Sequence, residues 1–171
     1  MRALLLAAVC TLGCGAQSKP DAGIDAGPNE FIAVQGDFSG YPQWHTFDLG
    51  FTDGDSAHFA GHRVVYLKQD PPHGATEWPV GTLLVKYVEA DGGARQIFGM
   101  AKRGGDFNPD GAVGWEWFQI APDTSPPFFL WRGAQPPPFV YNNGPSGCDD
   151  CHGAGMPNDY VLGGPLHLSS F

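Results

Sequence analysis

Residues 80–102 read VGTLLVKYVEADGGARQIFGMAK. The first eleven are aliphatic, β-branched and aromatic, and they show no 3.6-residue helical period. Asp91-Gly92-Gly93 then supplies turn chemistry, and residues 95–102 return as a second apolar run, so the spacing predicts a β-hairpin. Working outward, residues 63–68 (RVVYLK) predict a strand that ends at Asp70-Pro71-Pro72. Residues 103–113 (RGGDFNPDGAV) are turn chemistry throughout. Residues 114–121 (GWEWFQIA) predict a fourth strand, stopped by Pro122. Short helices are expected near residues 41–47 and 53–60, the second capped by Thr52 or Asp53. Residues 125–147 are too rich in proline for the interior of a sheet and are expected to wrap the domain. Their aromatics Phe128, Phe129, Trp131, Phe139 and Tyr141 are too many to leave in water. The expected fold is mainly β (α+β): an antiparallel sheet, one or two short helices and a distinct C-terminal segment.

The 171 residues suffice for one domain. Acidic residues outnumber basic ones 18 to 9, a formal charge of -9, which argues against a nucleic-acid binder because phosphate neutralisation needs clustered Lys and Arg. Gly 25 and Pro 16 make the chain loop-rich, yet 42% of its residues are hydrophobic, enough to build a core. No apolar run reaches the ~20 residues of a membrane-spanning helix.

Met1-Arg2 followed by apolar residues 3–13 is the layout of a secretory signal peptide, expected to be of the lipoprotein type. Leu12-Gly13-Cys14 resembles a lipoprotein cleavage site, with Thr11 where that pattern usually has Leu. Cys14 would then be the first mature residue and carry lipid, the sole membrane contact expected. Cleavage after Ala16 is the alternative. Residues 14–29 read as a flexible tether, and residues 30–171 as the folded domain. The expected location is the periplasm or the outer membrane as an anchored lipoprotein.

Of four cysteines, Cys10 leaves with the leader and Cys14 goes to lipid or tether. The remaining pair is Cys148-Asp149-Asp150-Cys151, followed directly by His152. A small disulfide and a thioredoxin-like redox pair are two readings of CxxC. Neither requires a histidine in the next position. Covalent attachment of one c-type haem does: two thiols add to the two vinyl groups, and His152 coordinates the iron. An export leader fits, since haem attachment happens in that compartment. Zinc is disfavoured because a second ligand pair at suitable spacing is missing.

Several strings together resemble the cytochrome P-460 and cytochrome c'-beta family. They are YPQW (41–44), HRVVYLKQDP (62–71), WPVGTLLVKY (78–87), AKRGGDFNPDGAVGWEWFQI (101–120) and CDDCHGAGMPNDYVL (148–162). The resemblance implies an antiparallel β fold, usually dimeric, and a high-spin five-coordinate haem open to small molecules on its distal face. It implies nitric oxide or hydroxylamine as ligand and another cytochrome as redox partner. In the P-460 branch the lysine of this motif bonds to the haem macrocycle, and Lys86 falls at that place. Strand alternation puts Leu84, Lys86 and Val88 on one face and Leu83, Val85 and Tyr87 on the other. A partly desolvated lysine loses its proton more easily; an edge-strand lysine that snorkels to water is the plainer alternative. Arg63 matches a pocket arginine that would steer a polar ligand or pair with a propionate, the alternative being a surface charge.

Two departures bear on activity. Hydroxylamine-oxidising members carry an acidic distal residue, and Phe98 stands in its place; phenylalanine-lined pockets belong to the gas-binding c'-beta branch. Tyr87 replaces the acidic residue that usually follows the lysine. The expectation is therefore an exported haem protein for small nitrogen compounds, with redox capability. Its candidate catalytic residues are Lys86 and Arg63, and its cofactor residues are Cys148, Cys151, His152, Lys86 and Phe98. Hydroxylamine oxidation with a Lys86 cross-link is one alternative. A plain electron carrier with Met100 or Met156 as sixth ligand is another. Asp106, Asp110 and Glu116 read as turn or surface carboxylates.

Overall fold

The structure, a computed structural model, describes residues 29–55, 57–137 and 147–171. The expected signal segment 1–13, Cys10, Cys14 and nearly all of the tether 14–29 lie outside them, as do Phe139 and Tyr141. Six strands form one antiparallel sheet in chain order: β1 (His45–Thr52), β2 (Gly61–Leu67), β3 (Leu83–Glu89), β4 (Arg95–Lys102), β5 (Trp115–Ile120) and β6 (Phe129–Gly133). The hairpin of β3 and β4 has the expected register, with Lys86 opposite Phe98 and Leu84 opposite Met100. The fold class is as the sequence predicts, mostly β with few helices.

Both faces of the sheet are covered. Val65, Leu67, Leu84, Trp115, Trp117 and Trp131 face the C-terminal segment, where Val161, Leu166 and Leu168 close over them. Leu83, Val85, Ile97, Phe118 and Ile120 face the other way, against Ala33 and Phe38 of the N-terminal segment. Each such buried side chain contributes about 2 kcal/mol of transfer free energy. Gly99 makes the second face possible: a Cβ there would come within 2.8 Å of the Phe38 ring.

The helices depart from expectation. At 41–47 there is only a 3-10 turn, Tyr41–Gln43, and β1 begins at His45. Phe47 and Leu49 pack against the C-terminal-face cluster while Thr46 and Asp48 are exposed, a period of two that is a strand signal. No helix forms among the described residues of 53–60. The Asp55 carboxylate instead accepts the backbone N–H groups of Ala57 and His58, each at 2.8 Å, which closes a turn rather than opening a helix. Within 125–147, Phe129–Gly133 forms β6, at the sheet edge where a proline-rich neighbourhood is tolerated. Trp131 is buried as expected, but Phe128 is 53% exposed. Glu116 is not a surface group: it is 3% exposed on the face away from Trp117 and takes a bidentate pair from Arg132 at 2.7 and 2.8 Å. Asp106 and Asp110 are exposed turn residues, as read.

Candidate functional site

A cavity of about 290 Å³ lies on the C-terminal face of the sheet. Its floor comes from adjacent strands: Val65 of β2, Lys86 of β3 and Phe98 of β4 form one rung, and Leu84, Met100 and Trp117 form the next. Cys148, Cys151 and His152 line the same cavity, as do Arg63, Asp55 and His58. The sequence-predicted site residues are therefore gathered in one place.

Cys148–His152 forms a single helical turn, α1. Five residues do not hold a helix alone. Asp149 anchors it: its Oδ1 accepts from Asn108 Nδ2 at 2.9 Å, Ala112 N at 3.0 Å and Trp117 Nε1 at 3.1 Å, and its Oδ2 from Gln135 Nε2. The residue between the two cysteines thus ties α1 to β5 and to the turn at 103–113. Both cysteines are free thiols, Cys148 partly buried and Cys151 exposed. Burial, with Asp149 adding to it, pushes the Cys148 thiol up to about 12. A thiol kept protonated is a poor thiolate ligand or redox nucleophile.

His152 packs its ring against Trp117, centroids 4.5 Å apart. Its Nδ1 lies 2.7 Å from the carbonyl oxygen of Tyr160. A carbonyl only accepts, so Nδ1 carries the hydrogen and Nε2 keeps the lone pair. Burial holds the group down at about 4, so the imidazole is neutral. The Tyr160 carbonyl is itself held in place. Asp159 and Tyr160 are consecutive left-handed residues, φ +50° and +65°, costing about 1 kcal/mol each. Bonds made by Asp159 offset that cost. Its carboxylate takes Lys102 Nζ at 2.6 Å and Trp78 N at 2.9 Å, and its carbonyl takes Trp115 Nε1 at 2.8 Å.

Lys86 sits on β3, third of six strands, so it is an interior-strand lysine and not an edge one. Burial first, and then the nearby Arg63, draws its pKa down to about 8. The Arg63 side chain is 13% exposed, which excludes the surface-charge alternative. Its Nη2 donates to Asp53 O at 3.0 Å and Asp55 Oδ2 at 3.2 Å, and its buried Nε has no partner among the described residues. Phe98 lines the cavity with its ring edge-on to His58, centroids 5.0 Å apart. Met100 also lines it, whereas Met156 is 62% exposed and away from it.

Asp55 and His58 were not singled out from the sequence. His58 Nδ1 lies 2.8 and 3.0 Å from the two carboxylate oxygens of Asp55. Burial leads the lowering of His58 to about 4, against the pull of Asp55. Burial raises Asp55, but the N–H groups of Ala57 and His58 and the His58 ring outweigh it and bring the carboxyl to about 2. The available signal was turn chemistry: an Asp three residues before a His in DGDSAHF favours an Asx turn over a helix.

Two thiols on one helical turn beside a neutral histidine with a free Nε2 suit a tetrapyrrole tethered through both cysteines and ligated once. Among the described residues no group of three or more His, Cys, Asp or Glu side chains is arranged to hold a metal by itself, and a haem iron needs only one such ligand because the macrocycle supplies four. No helix of the described residues is long and apolar enough to cross a membrane. In comparisons with known proteins, no family model, curated protein or solved structure matches this chain.

Proposed function

We propose that this chain is an exported c-type haem protein whose cavity takes a small nitrogen compound, nitric oxide or hydroxylamine, beside a redox-capable iron. The observation that carries this reading is the donor set on one cavity wall: Cys148 and Cys151 on a single helical turn, and His152 fixed by Tyr160 with Nε2 unprotonated. Cys148 and Cys151 would hold the group covalently and His152 would be its axial ligand. Bound there, haem supplies a Lewis-acidic, one-electron redox centre. The chain's own part is to shape the space beside it. Phe98 and Leu84 keep water out, while Arg63 and Lys86 favour polar or anionic ligands.

Oxidation of hydroxylamine with Lys86 bonded to the macrocycle is the second reading. What favours it is the place of Lys86 in the cavity and a pKa of about 8, which leaves some neutral amine near physiological pH. For the electron-carrier reading, Met156 is exposed elsewhere, which leaves Met100 of the two methionine candidates. A lipid anchor at Cys14, a homodimer and a partner cytochrome remain parts of the proposal drawn from the sequence.

The test is production of the whole chain in a host with cytochrome c assembly. The expected product is coloured, and its denatured mass equals the chain plus one haem. A colourless product with the mass of the bare polypeptide overturns the proposal. The ferrous spectrum then separates the readings: a red-shifted Soret band for a Lys86 cross-link, an ordinary high-spin spectrum for an open site, a low-spin spectrum for the carrier.

A further inference from the structure

Phe98 stands where a proton-handling side chain would be expected, and a phenylalanine moves no protons. The cavity nevertheless contains a group that does. His58 lines it, 14% exposed, with its Nδ1 held by both oxygens of Asp55. An ionised carboxylate only accepts, so Nδ1 carries the hydrogen. Nε2 is then the basic nitrogen left for whatever enters. The Phe98 ring holds the imidazole edge-on, and the carboxylate is itself fixed by two backbone N–H groups and by Arg63. His152 rests on Trp117 and His58 on Phe98, so the two imidazoles stand over different rungs of the sheet.

We propose that His58, braced by Asp55, is the proton acceptor for weakly acidic ligands H–X in this cavity, with X a nitrogen, oxygen, sulfur or cyanide-type donor atom. This rests on the haem reading above and narrows the ligand class. On entry the H–X bond breaks heterolytically. The electron pair stays on X, leaving an anion X⁻ that a bound haem would take as its ligand, and the proton goes to His58 Nε2. Nothing is oxidised or reduced. Asp55 balances the imidazolium across Nδ1. Arg63, whose Nε is unpaired among the described residues, and Lys86 favour the anion X⁻. Burial and Lys86 hold His58 at about 4 in the empty cavity, so it is neutral at pH 7 but a weak base there. It is Asp55 together with the anion X⁻ that favours its protonated form once the ligand is in. The dyad gives the pocket an acid–base function without the distal carboxylate.

The experiment compares two probes on the matured holoprotein. Cyanide arrives at neutral pH as hydrogen cyanide and must lose a proton to bind ferric iron; nitric oxide has none to lose. His58→Leu and His58→Gln are expected to slow cyanide association by about 100-fold while leaving nitric oxide association to the ferrous form unchanged. Glutamine keeps a hydrogen-bonding side chain but takes no proton at this pH. If His58→Gln restores the wild-type cyanide rate, hydrogen bonding and not proton acceptance is at work, and the proposal fails. It fails equally if cyanide is unaffected, or if both probes slow alike, which would make His58 a gate. A low-spin wild type that becomes high-spin in His58→Leu makes His58 an iron ligand and also overturns it. Nitrogen-15 NMR of wild-type imidazoles supplies a readout apart from ligand binding: the hydrogen of His58 is expected on Nδ1, and the opposite tautomer sinks the idea. A colourless, haem-free product is a different failure, that of the cofactor itself.

Discussion

Lys86 carries a charge in a place where an uncharged side chain would fold better. It is flanked by Val65 and Phe98 on neighbouring strands, and burial brings its pKa from 10.5 to about 8. Below that value the folded chain holds a poorly solvated ammonium that water solvates well in the unfolded chain. Between pH 8 and 10.5 the unfolded state binds more protons, so stability rises with pH across that window. Lys86→Met should therefore stabilise the haem-free protein at pH 7 by about 2 kcal/mol, allowing for residual solvation. Urea denaturation at pH 7 and pH 10 checks this: the variant should gain at the lower pH and lose the rise at the higher. A lysine retained at such a cost fits a working residue better than a structural one. Its direction was readable from strand alternation. Its interior position was not, because that depends on β2 pairing with the far side of β3, and the long connection at 68–82 leaves that pairing open in the sequence. Glu116 shows the complementary error. A carboxylate beside two tryptophans looks like a surface group until Arg132, sixteen residues on, is brought to it.

At the scale of elements, α1 depends on a side chain that the CxxCH pattern leaves unspecified. Asp149 satisfies the indole of Trp117, the amides of Asn108 and Gln135 and the backbone of Ala112. Asp149→Ala leaves several part-buried donors unpaired at once, and is expected to cost about 3 kcal/mol. Gly111→Ala attacks the same joint from the other side, since a Cβ there overlaps Asp149 and the Asn108 side chain. It should cost about 2 kcal/mol. Urea midpoints measure both, and additivity tests the joint. If the two changes disturb one junction, the double variant loses clearly less than the summed singles. The strands β2 to β5 were legible because each is a β-branched or aromatic run ended by Pro, Gly or Asp. β1 and β6 were not. β1 is half polar and sits at an edge, and β6 lies inside a proline-rich stretch whose composition argued for a loop. Both form because a neighbouring strand supplies hydrogen bonds that no local propensity records.

Across the whole molecule, the sheet is a plain up-and-down meander, and what makes it a site is that its two faces are closed differently. The N-terminal segment packs tightly on one face through Phe38. The C-terminal segment and the turn at 53–60 leave a cavity on the other, and that cavity gathers five ionisable groups far from their ordinary values: Cys148, Lys86, His152, His58 and Asp55. Acid should therefore open the molecule from this face. His58 is brought from 6.5 to about 4 on folding, so the unfolded chain binds the extra proton between those values, and stability falls as pH drops from 6.5 towards 4. Asp55, lowered from 3.8 to about 2, has the same sign in a lower window: its contribution is complete above 3.8 and disappears as pH falls through 2. The two windows do not overlap, which makes them separable. Between pH 7 and pH 5 two histidines act, His58 and His152, both brought from 6.5 to about 4, and the shift of each corresponds to roughly 2 kcal/mol lost. His58→Gln should remove its own share of the slope while leaving the steeper loss below pH 4 in place. Urea midpoints of wild type and variant at pH 7, 5 and 3.5 measure it. Parallel curves at pH 7 and 5 would mean that His58 gains its proton with the cavity intact, and that the turn at 53–60 yields to acid without the sheet beneath it.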